Sequence, residues 1–192
     1  MAGPSHAQLI TDRLLIRPVS PADADAVYTE CQDPQIQRWT TVPSPYLREH
    51  AEHYTGTHSP QAWATGAAAT FAVTDLSSGA LLACVGLHFD RGRDDGIADI
   101  GYWAGASARG RGVTTEAVAA ICQWGFTSCG VERVDWYAEV GNVPSRRVAE
   151  KVGFTLEGTL RKFLRRSDGT RVDAWAGSLV SVEEIAVPVA VR

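Results

Sequence analysis

Ala108-Arg109-Gly110-Arg111-Gly112-Val113-Thr114-Thr115-Glu116-Ala117 is the stretch on which the reading of this chain turns. Upstream of it, residues 97–103 alternate as a strand, with Ala98, Ile100 and Tyr102 on one face and Asp99, Gly101 and Trp103 on the other. Downstream the period changes. From Thr115 onward Val118, Ile121, Cys122, Gly125 and Phe126 recur at helical spacing, and the helix is expected to end near Gly130. The decapeptide therefore joins a strand to the start of a helix. Helix N-termini carry unpaired N–H groups and a partial positive charge, so they bind phosphates well. Gly110 and Gly112 let backbone approach a ligand closely, Arg109 and Arg111 add charge, and Thr114 and Thr115 can cap the helix or offer hydroxyls. The bland alternative is a glycine-rich turn with solvated arginines. Two other phosphate motifs fit badly: there is no G-x-G-x-x-G after an early strand and no G-x-x-x-x-G-K-S/T.

Outward from that turn the chain reads as one mixed α/β domain over residues 1–192, with 1–8 as a flexible lead. Residues 9–19 are expected to form one strand, ended by Pro18 and Pro21, and 22–32 a helix. Residues 33–60 look irregular, with four prolines and the aromatics Trp39, Tyr46 and Tyr54, although a helix over 47–56 is plausible. Residues 70–74 and 81–89 pair across the Leu76-Ser77-Ser78-Gly79 turn, and 91–96 form a charged loop. After the helix come a strand at 133–139, a short helix at 144–151, and two closing strands at 154–160 and 172–181 joined through Ser167-Asp168-Gly169-Thr170.

Composition narrows the classes. With 45 % apolar and 21 % charged residues the chain is an ordinary globular sequence, neither disordered nor membrane-spanning. A formal net charge of −4 gives no electrostatic case for nucleic acid. Cys31, Cys84, Cys122 and Cys129 show no C-x-x-C pair, and no apolar leader opens the chain; reduced thiols in the cytoplasm are expected. His50, His53 and His58 lack the partners that would complete a zinc site, so no metal is expected. No G-x-S-x-G elbow argues for a serine hydrolase.

The turn resembles the acyl-CoA pyrophosphate loop of the GNAT acetyltransferase superfamily, written Gln/Arg-x-x-Gly-x-Gly/Ala. Arg109 and Gly112 match, and Thr114 stands where Gly or Ala is usual. Three further segments resemble the same family in the expected order. Ile100-Gly101-Tyr102-Trp103 is similar to its fourth strand. Asn142-Val143-Pro144-Ser145, continuing through Lys151-Val152-Gly153-Phe154 and Glu157-Gly158, is similar to the segment after its fifth. Leu9-Ile10-Thr11-Asp12-Arg13-Leu14 resembles the opening of the branch related to ribosomal-protein N-terminal alanine/serine acetyltransferases (RimJ/RimL-like).

The resemblance implies a mostly antiparallel sheet flanked by helices and splayed between its fourth and fifth strands, with the pantetheine arm inserted there. It implies acetyl-CoA as co-substrate, with pyrophosphate on Arg109, Gly110, Arg111, Gly112, Val113, Thr114 and Thr115, and with Asn142 and Ser145 near the pantetheine and sulfur. Acyl transfer to an amine needs a base, an oxyanion donor and support for the leaving thiolate. Ser145 is the candidate for the last of these, the alternative being a plain helix cap. Asp99 and Glu139 are the candidate bases, with His88 as a third possibility. Arg161, Lys162, Arg165 and Arg166 form a basic cluster, either solvated or contacting an acidic acceptor or the CoA 3′-phosphate; Trp39, Trp63 and Trp175 are core residues or pocket walls. The expected activity is direct acetyl transfer in a ternary complex to a protein N-terminus or a small-molecule amine. The alternatives are a non-catalytic CoA-binding sensor and another acyl-CoA donor. A homodimer through a C-terminal edge strand is plausible.

Overall fold

Leu14 and Ile16 are buried while Leu15 and Arg17, which alternate with them, are partly exposed, the period of a strand with one face on a core. In the computed structural model, which describes residues 7–89 and 96–190, this strand lies near one edge of an eight-stranded sheet. Most of the charged loop expected at 91–96, and most of the lead, fall outside the described residues. The strands are β1 Leu9–Ile10, β2 Leu14–Pro18, β3 Ala68–Asp75, β4 Leu81–His88, β5 Ile97–Ala104, β6 Arg133–Glu139, β7 Thr155–Arg165 and β8 Arg171–Leu179, in the order β1-β2-β3-β4-β5-β6-β8-β7. The single strand expected at 9–19 is instead a hairpin. Thr11 turns the chain, its Oγ1 accepting from Leu14 N at 3.0 Å, and Leu9 pairs with Ile16.

The helices are α1 Ala24–Glu30, α2 Pro34–Trp39, α3 Arg48–His53, α4 Ser59–Thr65, α5 Val113–Ser128 and α6 Val143–Val152, with a π turn at Tyr54–His58 joining α3 to α4. Residues 33–60 are thus much more helical than their prolines suggested. Pro34 sits in the first turn of α2, where a missing N–H costs nothing, and Pro60 follows directly on the π turn that joins α3 to α4; Asp33 caps α2 by accepting from Gln35 N at 2.7 Å.

Helices cover both faces, which explains why β3 is buried along nearly its whole length. On one face α5 packs Val118, Ile121 and Cys122 against Leu87, Ile100 and Val134. Each such aliphatic side chain contributes roughly 1.5–3 kcal/mol on burial. On the other face Val27, Cys31, Ile36 and Ala51 lie over Ala72 and Cys84.

The join between β5 and β6 positions the site. Every other neighbouring pair is antiparallel, but β5 and β6 are parallel, with α5 as the crossover. Their pairing runs only from Ile97↔Arg133 to Ile100↔Trp136, although β5 continues to Ala104 and β6 to Glu139. The strands part beyond Ile100, as expected from the resemblance. Backbone groups on both inner edges are left facing a gap.

Candidate active site

On one side of the gap lies the glycine-arginine turn. Gly110 and Gly112 take φ of 72° and 74°, a region that glycine adopts without the Cβ penalty. Gly112 is the N-cap of α5 and offers no capping side chain, so the cap supplies no acceptor to the first-turn N–H groups. A brace from β1–β2 holds the turn: Arg13 Nε pairs with Glu116 Oε2 at 2.6 Å, and Arg13 Nη1 donates to Arg111 O at 2.9 Å. A cavity of about 480 Å³ opens here, lined by Arg109, Gly110, Gly112, Val113, Thr114 and Thr115, and on its α6 side by Asn142, Ser145, Arg147 and Lys151.

The arginine side chains depart from expectation. Arg109 Nη2 pairs with Asp33 Oδ2 at 2.7 Å and also donates to Ala104 O at 3.1 Å. It therefore ties the turn to α2. Arg111 does not line the cavity, and its Nη1 donates to Ser107 O at 3.2 Å. The cations lining the α6 wall are Arg147 and Lys151 instead.

At the middle of the gap stands Ser145, in the first turn of α6. Its N–H donates to the Asn142 cap Oδ1 at 3.3 Å. Trp136 Nε1 donates to Ser145 Oγ at 3.1 Å, Ser145 Oγ donates to Tyr102 OH at 3.2 Å, and Tyr102 OH donates to Ser145 O at 3.0 Å. Burial pushes the Tyr102 phenol above its ordinary range, against the lowering effect of Ser145 and Trp136.

A second cavity, of about 680 Å³, lies beyond. Trp39, Thr40, Tyr102, Trp103, Asn142 and Ser145 line both cavities, so the two meet at the gap. Asp99 and His88 line the second cavity from paired positions on β5 and β4, with His88 Nδ1 3.3 Å from Asp99 Oδ2. The imidazole lies over the cross-strand pair Gly86 and Gly101: a methyl at Gly86 would come 2.8 Å from His88 Nε2, and one at Gly101 3.6 Å from Cε1. Two glycines thus leave the space that the ring fills.

Glu139, at the end of β6, faces the same cavity but is held by two guanidiniums. Arg166, from the β7–β8 turn, grips it with Nε at 2.9 Å and with Nη2, and Arg38 of α2 grips it at 2.7 and 3.0 Å. These two partners hold its carboxyl down at about 2. A carboxylate so stabilised is a weak base, which counts against the role expected for Glu139.

An acetyltransferase (GNAT) domain matches residues 13–155. The chain belongs to the GNAT acetyltransferase family. It is an acetyltransferase, as are the proteins it is similar to by name. An uncharacterized N-acetyltransferase of Bacillus licheniformis, p20, is 26 % identical over 91 % of this chain and 97 % of its own. RimJ of Mycobacterium smegmatis, solved with CoA-disulfide, superposes with a TM-score of 0.78 at 21 % identity, covering 95 % of this chain and 91 % of its own. The microcin C7 self-immunity acetyltransferase MccE, solved with acetyl-CoA and AMP, does so with a TM-score of 0.78 at 22 % identity, over 88 % and 93 %. These structural likenesses are of fold.

Within this GNAT fold, Ser145, Asp99, Asn142 and the turn residues other than Arg111 come together at the gap, and His88 joins them through Asp99. Trp39 is a wall of both cavities, whereas Trp63 is core and donates to Thr70 O at 3.0 Å, and Trp175 lies under Arg146. No local sequence pattern marks Tyr102, Trp136, Arg38, Arg147 or Lys151 for these roles. The face alternation of β5 separates Tyr102 from Asp99 but carries no sign of its bond to a residue 43 positions away. No helix among the described residues is long and apolar enough to cross a membrane.

Proposed function

We propose that this acetyltransferase moves an acetyl group from acetyl-CoA directly to a primary amine, with both substrates bound at once. One observation carries the reading: the two cavities meet where β5 and β6 part, around Ser145. A donor on one side and an amine on the other are then in contact without a covalent enzyme intermediate.

The turn side fits acetyl-CoA. It offers two glycines at positive φ, a helix N-terminus without a capping side chain, and Arg147 and Lys151 opposite. When bound, acetyl-CoA supplies an activated thioester. Unpaired edges of β5 and β6 supply N–H and C=O groups to a pantetheine arm and a donor to the carbonyl oxygen. Ser145 Oγ lies at the junction to support the departing sulfur.

On the acceptor side, the His88–Asp99 pair takes the amine proton. Asp99 beside Nδ1 favours the tautomer with its lone pair on Nε2, and imidazole is the side chain suited to relaying protons near neutrality. The amine nitrogen bonds to the acyl carbon, the C–S bond breaks with its electron pair on sulfur, and the amine proton passes to His88. Aromatic walls from Trp39, Trp103 and Tyr137 suit an extended acceptor such as a protein N-terminus, or a small-molecule amine. The exposed leucines Leu156 and Leu160 on the edge strand β7 favour a homodimer through that edge.

The test is thiol release from acetyl-CoA with a panel of amines and N-terminal peptides, with the acetylated product weighed by mass spectrometry. His88→Ala and Asp99→Asn are expected to lower kcat by about 10²-fold or more. CoA binding with no acetylated amine would favour the sensor reading.

A further inference from the structure

Three hydrogen bonds join the Ser145 hydroxyl and carbonyl to Trp136 and Tyr102, and their proton count is not neutral with respect to chemistry. Oγ carries one hydrogen and two lone pairs. Trp136 Nε1 donates to one lone pair at 3.1 Å, and the hydroxyl hydrogen is spent on Tyr102 OH at 3.2 Å. The Tyr102 hydrogen is in turn spent on Ser145 O at 3.0 Å. In this arrangement Ser145 has no hydrogen left for a sulfur atom. The same heavy atoms support a second arrangement. If the Tyr102 hydrogen swings from Ser145 O to Ser145 Oγ, the serine hydroxyl is freed to point elsewhere, and its oxygen then accepts two donors at once.

We infer that Tyr102 is a positioning residue for acyl transfer, acting through Ser145. As negative charge gathers on the departing sulfur, the Tyr102 hydroxyl turns from Ser145 O to Ser145 Oγ and releases the serine hydrogen toward that sulfur. This rests on the function proposed above, and it gives Trp136 and Tyr102 a task there. An oxygen accepting two hydrogen bonds is the stronger donor of its own hydrogen, because successive bonds polarise one another. No proton changes owner in the switch: two O–H bonds rotate, and the electron pair of the broken C–S bond stays on sulfur.

The surroundings suit a neutral relay. Burial keeps the Tyr102 phenol protonated well above neutral pH, and the other influences on it are Ser145, Trp136 and the buried thiol of Cys122, none of them charged at neutral pH. The cations Arg109, Arg147 and Lys151 line the same cavity and act on a bound thiol as well. A test must therefore hold them constant.

Coenzyme A itself is the probe, so no acceptor is needed. The thiol of bound CoA is titrated by the ultraviolet absorption of its thiolate in the wild type, Tyr102→Phe, Trp136→Phe, Ser145→Ala and the Tyr102→Phe/Ser145→Ala double variant. CoA affinity is measured calorimetrically in each. Ser145→Ala, which loses the hydrogen bond to the charged sulfur, is expected to cut the thiolate-to-thiol ratio about tenfold, one pK unit upward, whereas Tyr102→Phe, which removes only one of the two donors that polarise Ser145 Oγ, is expected to cut it about twofold, with CoA affinity at low pH unchanged. Trp136→Phe is expected to act in the same direction. In the Ser145→Ala background, Tyr102→Phe is expected to change nothing further. The inference is overturned if Tyr102→Phe leaves the titration unmoved, or if it acts equally with and without Ser145. A wild type that does not bind CoA overturns this inference and the proposed function together. The expected pattern with no amine acetylated supports the relay and overturns only the amine reading.

Discussion

Replacing Glu139 by Gln keeps the shape of the clamp across the acceptor cavity and removes its charge. Arg166 and Arg38 hold the carboxyl down from its ordinary 4.5 to about 2. That difference of about 2.5 units corresponds to roughly 3.4 kcal/mol if it passed wholly into stability. The two guanidiniums are 36 % and 41 % exposed, however, and solvent screens them, so about 1–2 kcal/mol is the expected loss at pH 7. The sign follows from the direction of the shift. A lowered folded-state value means that the contribution is present above about pH 4.5 and fades as pH falls toward 2. Gln does not titrate there. For a contribution of that screened size, the stability gap between wild type and Glu139→Gln should shrink by pH 3 to roughly a fifth of its pH 7 value or less. Asp23 and Glu157, whose carboxyls are also lowered, are common to both proteins and cancel in the difference. Urea unfolding at the two pH values measures it. A gap of the same size at both, or no gap at pH 7, would refute the claim that this clamp is an energetically coupled ion triad.

Two further substitutions probe the site and its support. Gly86→Ala puts a methyl 2.8 Å from His88 Nε2, so the imidazole must move away from Asp99; kcat should fall about tenfold or more with CoA affinity retained, and an unchanged kcat would remove His88 from the chemistry. Gly153→Ala, at φ 118° and with its Cβ 2.0 Å from Glu184 O, should cost at least about 2 kcal/mol in urea unfolding by forcing the C-terminal segment off α6, whereas a loss under about 1 kcal/mol would mean that this contact yields easily.

What could be read in advance followed from local rules. The strand-to-helix change around Gly110 and Gly112, the strand at 133–139 and the face shared by Asp99, Gly101 and Trp103 all depend on residues within a few positions of one another. What could not be read depends on partners far apart in the chain. A place in the glycine-rich turn marks Arg109 as a phosphate ligand, yet Asp33 pairs with its side chain. Its place at the end of the strand at the gap marks Glu139 as a candidate base, yet Arg38, 101 positions earlier, and Arg166 pair with it. Prolines conceal the helices of residues 33–60, because Pro34 opens one helix and Pro60 lies in the first turn of another. The alternation of Leu14 and Ile16 predicts one strand over 9–19 and does not reveal that the Thr11 side chain closes a turn. The Trp136–Ser145–Tyr102 bonds join β6, α6 and β5, and they exist only once those elements meet.

In the function proposed above, acetyl-CoA lies on the Gly110–Gly112 turn and enters the gap between β5 and β6. Calorimetric titration of acetyl-CoA into the wild type and into Gly112→Ala tests it most directly. Gly112 holds φ 74°, and an added methyl would also come 3.4 Å from Arg13 Nη2, so the variant strains both the N-terminus of α5 and its brace. A single saturable site is expected in the wild type, with binding weakened about tenfold or more in the folded variant. No binding to the wild type, or equal binding to both, would contradict it.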